Sequence, residues 1–145
     1  MTDPTIRPMS AAKKAGIPVY GAPLEYGKCL LETHEQASFF NRLRREYPDT
    51  WGCLGIHVRN EGKRTHWQIR KIKAEGGFIT GACDIVIPGV PPFLCEMKSR
   101  SKAAKTTEDQ IKFLLAGIAA GAFVCYAYGA EAAWEAFEEW RKQCT

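Results

Sequence analysis

The sequence predicts a single α/β domain in which helices flank a mixed central sheet, in the order αβαββαβα. Three observations support this prediction. A chain of 145 residues is long enough for one hydrophobic core and short for two. Apolar residues recur at helical spacing in some segments and form short β-branched or aromatic runs in others. Residues 81–99 contain two such runs around a Gly-Val-Pro turn, so part of the sheet is antiparallel.

The domain is predicted to span residues 28–145, after an extended lead-in at residues 1–27. Four prolines interrupt the lead-in, which shows no apolar period and lacks the apolar region of a signal peptide. No run in the chain approaches the roughly 18 apolar residues of a membrane span. The six cysteines lack the C-x-x-C spacing of zinc sites. We therefore expect reduced thiols, no membrane association and a cytoplasmic location.

The first half of the domain reads as helix, strand and helix. A helix within residues 29–48 ends before Pro48, and its inward stripe combines polar and apolar side chains: Glu32, Gln36, Phe39, Phe40 and Leu43. Residues 51–58 have the composition of a strand, which the turn at residues 59–63 closes. Residues 64–77 are predicted to form a short basic helix that stops at two consecutive glycines.

The second half begins with the hairpin and continues as helix, strand and helix. Thr107 and Gln110 have the T-x-x-Q spacing of a capping box, which opens a helix that ends at Gly121. Its inward residues are expected to be Ile111, Leu114, Leu115 and Ile118. A buried strand at residues 122–129 precedes a last amphipathic helix whose inward residues are Ala133, Phe137 and Trp140.

Charged residues stand in the most core-like part of the chain, the hairpin GACDIVIPGVPPFLCEMKS. A three-residue turn at residues 89–91 pairs Val86 with Leu94 and, two residues outward on each strand, Asp84 with Glu96. Because strand side chains alternate, Lys98 shares the face of Glu96 and Met97 points to the other face. The hairpin is therefore expected to bring two acids and a lysine together.

Two adjacent acids in a partly buried place repel one another unless a cation lies between them. Their oxygen ligands suit Mg²⁺ or Mn²⁺, and the backbone carbonyl of Met97 adds a further ligand. Lys98 is then placed to orient a water molecule or to neutralise a developing negative charge. The alternative is an exposed ion pair at a sheet edge, which the unbroken apolar runs on both sides of the turn disfavour.

An Asp followed about a dozen residues later by Glu-x-Lys resembles the PD-(D/E)XK nuclease superfamily. Other stretches in order resemble its VRR-NUC family over about residues 30–140: ETHEQASFFNRL, IHVRNEGKR, KAEGGFITGACDIVIP and FLCEMKSRSKAAKTTEDQ. The resemblance implies a restriction-endonuclease-like core in a standalone protein of phage or bacterial type. Cys83 departs from the pattern, since the superfamily usually has proline there.

The resemblance also implies roles for individual residues. Glu32 matches the metal-associated glutamate of the first helix, with Glu35 as the competing position, and Gln110 matches a glutamine that contacts the attacking water or a phosphate. Gln110 has a purely structural alternative as part of its capping box. His57 is interpreted as a strand histidine and not as a catalytic base. The predicted DNA contacts are Gln36, Arg59, Asn60, Lys63, Arg64, Arg100, Lys102 and Lys105.

The charge distribution fits a polyanionic substrate. The net charge is only +4, but basic residues concentrate in residues 59–73 and 98–105, beside the hairpin. A solvated surface is the alternative explanation for such clusters. Asn60 with Gly62 equally suits a tight turn that makes no contact with DNA.

The function that the resemblance implies is a Mg²⁺- or Mn²⁺-dependent endonuclease that cuts branched DNA such as four-way junctions. Such standalone proteins resemble homodimers, in which two sites related by a two-fold axis cut symmetrical strands. The expected location is the cytoplasm of a bacterial or phage-infected host cell. Two alternatives remain: a nuclease acting on flaps or single-stranded ends, and a noncatalytic DNA-binding protein with the same fold.

Overall fold

The computed structural model describes residues 8–59 and 65–144 and shows a five-stranded sheet with helices on both faces. The elements are α1 Pro8–Lys14, β1 Val19–Tyr20, α2 Glu32–Glu46, α3 Trp51–Leu54, β2 Ile56–His57, α4 His66–Glu75, β3 Ile85–Ile87, β4 Phe93–Lys98, α5 Glu108–Ala119, β5 Phe123–Tyr128 and α6 Gly129–Gln143. The strand order is β1-β5-β4-β3-β2. β1, β5 and β4 run parallel, whereas β4, β3 and β2 are antiparallel, so the sheet is mixed as predicted.

The hairpin of β3 and β4 has the predicted register. Val86 pairs with Leu94, between the pairs Ile85–Cys95 and Ile87–Phe93. Asp84 lies one residue before β3, so the same register brings it opposite Glu96. The turn chemistry and the apolar runs of the sequence were sufficient to set this pairing, because a shift by one residue would turn every side chain to the wrong face.

One face of the sheet carries an aromatic core, which we call the aromatic face. Helices α2 and α6 pack on it, and the buried residues include Phe39, Leu43, Phe93, Phe137 and Trp140. The apolar residues of both predicted inward stripes are confirmed, because Phe39, Phe40, Leu43, Ala133, Phe137 and Trp140 are all buried. The polar part of the α2 stripe differs from the prediction, since Glu32 is only partly buried and Glu35 is buried with Gln36. Packing of α2 and α6 therefore stabilises the central strands, which also carry the charged residues.

The opposite face combines apolar and polar side chains, and we call it the polar face. It carries Glu96 and Lys98 of β4 together with Tyr126 and Tyr128 of β5, since paired residues of neighbouring strands share a face. The remaining core on this side comes from α1, α5, β5 and the residues that follow α1 or precede β3: Ala12, Ile17, Cys83, Leu114 and Val124. Charged and apolar groups therefore share this buried layer.

Two segment predictions are wrong. Residues 8–20 are not extended, because α1 and β1 form there and Ala12 and Ile17 are buried. Pairing of β1 with the edge of β5 stabilises this segment, and such a long-range contact leaves no local pattern. Residues 51–58 are not one strand either, since α3 occupies the first half and β2 only Ile56–His57. The observed element order is accordingly longer than the predicted one.

The two capped helices differ in how much they bury. α5 begins at the predicted capping box, but only part of its apolar stripe faces inward: Leu114 is buried, whereas Leu115 and Ile118 are about 40% exposed. α4 also begins with a capping box, formed by Thr65 and Gln68, and buries no residue. Within residues 8–59 and 65–144, no helix is long and apolar enough to cross a membrane. Most of the predicted turn at residues 59–63 lies outside the described residues.

Candidate active site

The two acids and the lysine of the hairpin meet in the interior. Asp84, Glu96 and Lys98 are 4%, 1% and 5% exposed. The Lys98 Nζ lies 3.4 Å from the Glu96 Oε1. Three ionisable groups are thus buried side by side, which excludes the alternative of an exposed ion pair at a sheet edge.

Asp84 is held where three strands meet. Its Oδ2 accepts a hydrogen bond of 3.0 Å from the backbone N–H of Met97, and its carbonyl oxygen accepts one of 2.9 Å from the N–H of Val58. The Nδ1 of His57 also lies 3.1 Å from this carbonyl oxygen. His57 therefore contacts the backbone of Asp84, which suits a positioning role and agrees with its interpretation as a strand histidine.

Glu96 is the least satisfied charged group in the site. Burial raises the pKa of its carboxyl to about 7, against the lowering effects of Lys98 and the Asp84 side chain, and the nearby charge of Glu32 raises it further. Across residues 8–59 and 65–144, neither Glu96 oxygen has a hydrogen bond of good geometry, although Lys98 lies close. A buried carboxylate with open lone pairs suits a cation that supplies the missing positive charge.

Lys98 is positioned by the start of α5. The Gln110 Oε1 accepts hydrogen bonds from Lys98 Nζ at 3.1 Å, from Thr106 Oγ1 at 3.0 Å and from the Thr107 N–H at 3.0 Å. The capping box of Thr107 and Gln110 is thus confirmed, and the same glutamine contacts the lysine of the site. Its structural role and its place in the site are compatible.

The two candidate acids of α2 have different surroundings. Glu35 is buried and its Oε2 accepts a hydrogen bond from the N–H of Ala130 in the first turn of α6, where a negative charge is favourable. Glu32 is partly buried, and its charge contributes to the raised pKa of Glu96. Gln36 is buried on the same helix. Glu32 is therefore the α2 acid whose electrostatic contact with the site is visible.

Sequence reasoning missed two tyrosines that border the site. Tyr126 pairs with Glu96 and Tyr128 with Lys98 across β4 and β5. Burial raises the pKa of the Tyr126 phenol, Glu96 and Glu32 raise it further, and the Thr106 hydroxyl opposes them. The period of two in FVCYAY indicates that the tyrosines share a face. Only the β4–β5 register shows that it is the face of Glu96.

The described residues predicted to contact DNA differ in exposure, because Gln36 is only 4% exposed and the cations lie on the surface. Arg59, Arg100, Lys102 and Lys105 are exposed. Arg100 Nε donates to the carbonyl of Ala22 at 3.4 Å, and Lys102 Nζ lies 3.4 Å from Glu25 Oε2. These contacts connect the segment after β4 to the segment after β1. The predictions for Asn60, Lys63 and Arg64 lie outside the described residues.

The predicted metal set fits this site in part. Asp84 and Glu96 are adjacent buried carboxylates, and the open oxygens of Glu96 suit a hard cation. In the described part of the chain, however, no three His, Cys, Asp or Glu side chains are arranged as a metal-binding group. The predicted set contains three side-chain carboxylates, those of Asp84, Glu96 and Glu32, besides the Met97 carbonyl, so Glu32 is not arranged with the other two as such a group. The metal remains a prediction.

Comparisons with known proteins support the fold. The sequence matches no model of a known protein family, and no curated protein matches it. Among solved structures, the chain is similar to a protein described as "VRR_NUC domain protein", with a TM-score of 0.63 over 79% of this chain and 91% of that chain. The sequence identity is 16%, so the likeness concerns the fold. The chain has a VRR-NUC-like fold: a mixed sheet flanked by helices.

Proposed function

We propose that this protein is a metal-dependent endonuclease that hydrolyses phosphodiester bonds in branched DNA. The observation that carries the proposal is the buried array of Asp84, Glu96 and Lys98 on the polar face. Replacing buried charges by well-packed apolar side chains often stabilises a protein, so a buried array that serves no reaction would be a cost without a benefit. The fold likeness to a VRR_NUC domain protein supports the same conclusion.

The residues that would hold Mg²⁺ or Mn²⁺ are Asp84 and Glu96, with the Met97 carbonyl and Glu32 as further ligands. A bound ion of this kind supplies a water of lowered pKa and neutralises charge on the phosphate. Burial of Glu96 keeps its carboxylate away from bulk water, so its attraction to a cation is screened less than at the surface. The hydrogen bond from Met97 orients the Asp84 carboxylate toward β4.

Lys98 is proposed as the catalytic cation and Gln110 as its partner. The ammonium lies between Glu96 Oε1 and Gln110 Oε1, at 3.4 Å and 3.1 Å. In this place it can stabilise negative charge on a phosphate oxygen or orient a water molecule. Gln110 restrains the long lysine side chain, so little conformational freedom is lost when substrate binds.

DNA is proposed to bind through basic groups near the site. Arg59, Arg100, Lys102 and Lys105 are exposed and contribute phosphate contacts, and the predicted contacts of Asn60, Lys63 and Arg64 complete the set. The preference for branched DNA, the homodimer and the cytoplasmic location are proposed from the family resemblance. The six cysteines are free thiols, which is compatible with that location.

The decisive experiment incubates the protein with labelled four-way junction, flap and linear duplex, each with Mg²⁺, Mn²⁺ or a chelator. We expect divalent-ion-dependent cutting of the junction, reduced at least about 100-fold in Asp84→Asn and Lys98→Ala, because charge stabilisation by one such group contributes on the order of 3 kcal/mol or more. Asp49→Asn and Lys142→Ala are matched controls at exposed positions, and both should cut normally.

Each outcome separates the candidate functions. Cutting of flaps in preference to junctions would identify the flap nuclease, and junction binding without cutting would identify the noncatalytic protein. Cleavage unaffected by Asp84→Asn would refute the assigned site. Light scattering on a sizing column measures whether the protein is the proposed homodimer.

A further inference from the structure

Helix α4 is a well-formed helix that contributes nothing to the core. The Thr65–Gln68 capping box satisfies its first turn, and Gly76 ends it in the left-handed conformation with φ 89°. None of its ten residues is buried. Local signals therefore build this helix, and most of its surface remains available to a partner.

One side of α4 borders an open cavity next to the sheet. Ile72 is partly buried and lines an open cavity of about 610 Å³ with residues that follow β2, belong to α5 or precede β3: Val58, Arg59, Phe78, Ile79, Ala82 and Phe113. Ala82 lies two residues before Asp84. The C-terminal half of α4 thus borders the segment that leads to Asp84, the first acid of the candidate active site.

The other side of α4 combines an exposed indole with cations. Trp67 is 80% exposed. Arg70 and Lys71 follow it by three and four residues, so they lie on the same side of the helix one turn later, and both are exposed. An indole this large is normally packed against other groups. Its exposure between two basic side chains indicates a flat, negatively charged partner.

We propose that α4 is a docking surface for DNA, on which Trp67 stacks against an unpaired base while Arg70 and Lys71 bind the adjoining phosphates. This inference rests on the proposed function, because the nuclease would thereby recognise the opened bases of a branch. Stacking requires only the flat face of a base and therefore works on any sequence. The basic pair adds attraction to the phosphate backbone.

The pattern of the helix favours DNA over a lipid surface. A membrane-binding helix needs an apolar side, with its basic residues on the opposite side. In α4 the apolar residues Ile69 and Ile72 lie away from Trp67, and Ile72 is directed to the cavity. The indole instead shares its side of the helix with Arg70 and Lys71, which suits a base-stacking residue beside phosphate contacts.

The test measures DNA binding by fluorescence anisotropy in a chelator, so that no cleavage occurs. The probes are a blunt duplex and the same duplex with a single-stranded tail. We expect Trp67→Ala to weaken binding of the tailed duplex about 5- to 150-fold and to leave the blunt duplex within about two-fold. Trp67→Phe should restore most of the affinity, because phenylalanine keeps a stacking face.

The basic pair has a separate signature. Arg70→Ala with Lys71→Ala should weaken both probes and reduce the slope of log affinity against log salt by about 1.4 to 1.8, since each lost phosphate contact removes about 0.7 to 0.9. Arg45→Ala with Lys142→Ala removes two exposed cations from α2 and α6 on the opposite face of the sheet. This matched control should change the slope little.

Several outcomes would overturn the inference. They are equal affinities of Trp67→Ala and wild type for the tailed duplex, an equal loss in the control pair, or Trp67-dependent binding to vesicles of anionic lipid without an effect on DNA. If wild type cuts DNA and Trp67→Ala binds normally, only the inference fails. If Trp67→Ala loses binding as expected but wild type never cuts, the docking surface stands and the nuclease proposal fails.

Discussion

The two faces of the central sheet use the same strands for opposite purposes. On the aromatic face, Phe93 contacts Phe137 and Trp140 at ring-centroid distances of 6.4 Å and 5.5 Å, which stabilises the fold. On the polar face, the same strand β4 carries Glu96 and Lys98, and burying these charged side chains costs free energy. A single strand therefore carries both the anchor of the fold and the candidate site, and alternation keeps them apart.

The largest effect should follow from breaking the aromatic face. Phe137→Ala removes a fully buried ring and should lower the free energy of unfolding by about 3–5 kcal/mol, measured by urea denaturation. Phe113→Ala, a partly buried ring at the edge of the cavity beside α4, is the matched control and should cost clearly less. Equal losses would show that the aromatic face is not the main source of stability.

Glu96→Gln tests the cost of burying a carboxylate on the polar face. The folded-state pKa of Glu96 is about 7, above the ordinary 4.5, so its stabilising contribution is complete below about pH 4.5 and is lost as the pH rises through 7. In a chelator we expect Glu96→Gln to exceed wild type in stability at about pH 8 by on the order of 1–3 kcal/mol, and by much less near pH 5. Thermal unfolding at both pH values measures this. Parallel pH profiles would contradict the cost assigned to the buried carboxylate.

The capping boxes of α4 and α5 allow the stability cost of losing a helix cap to be compared at two sites. Gln68→Ala removes a cap from the exposed α4 and should cost about 0.5–1 kcal/mol. Gln110→Ala removes the same kind of cap and also the acceptor of Lys98, so its cost should reach about 2 kcal/mol. Urea denaturation compares them, and cleavage assays should show a loss for Gln110→Ala alone. Equal effects would mean that Gln110 acts only as a cap.

The smallest effect is expected at Tyr126. In the described part of the chain its buried hydroxyl has no hydrogen bond of good geometry, with the Thr106 hydroxyl as its polar neighbour. Tyr126→Phe should therefore change stability by less than about 1 kcal/mol in either direction. Tyr20→Phe breaks the hydrogen bond from Tyr20 to Glu139 and serves as the comparison. A loss above that of Tyr20→Phe would show that the Tyr126 hydroxyl is paired.

The hairpin was the most predictable part of the molecule. Apolar runs on both sides of a short turn define both strands and their register, and alternation then places Glu96 and Lys98 on one face and Met97 on the other. The α5 cap was predictable for the same kind of reason, since a capping box needs only residues three apart. These features depend on contacts that are close in the sequence.

The features that escaped prediction depend on distant contacts. β1 forms because the edge of β5 is available to it, and Glu35 differs from Glu32 because the first turn of α6 lies above it. Leu115 and Ile118 were predicted to face inward but are exposed. The helical spacing of apolar residues does not show how much of the helix surface the sheet covers.

The sequence by itself determined the fold class, the register of the hairpin and the convergence of Asp84, Glu96 and Lys98, because turn geometry and side-chain alternation are local and periodic. The tertiary structure alone decided which groups surround that trio: Gln110 against Lys98, and Tyr126 beside Glu96. The reason is physical. Parallel pairing of β4 with β5 and the packing of α5 bring together segments that are distant in the sequence. Their order along the chain does not determine how closely or at what angle they pack.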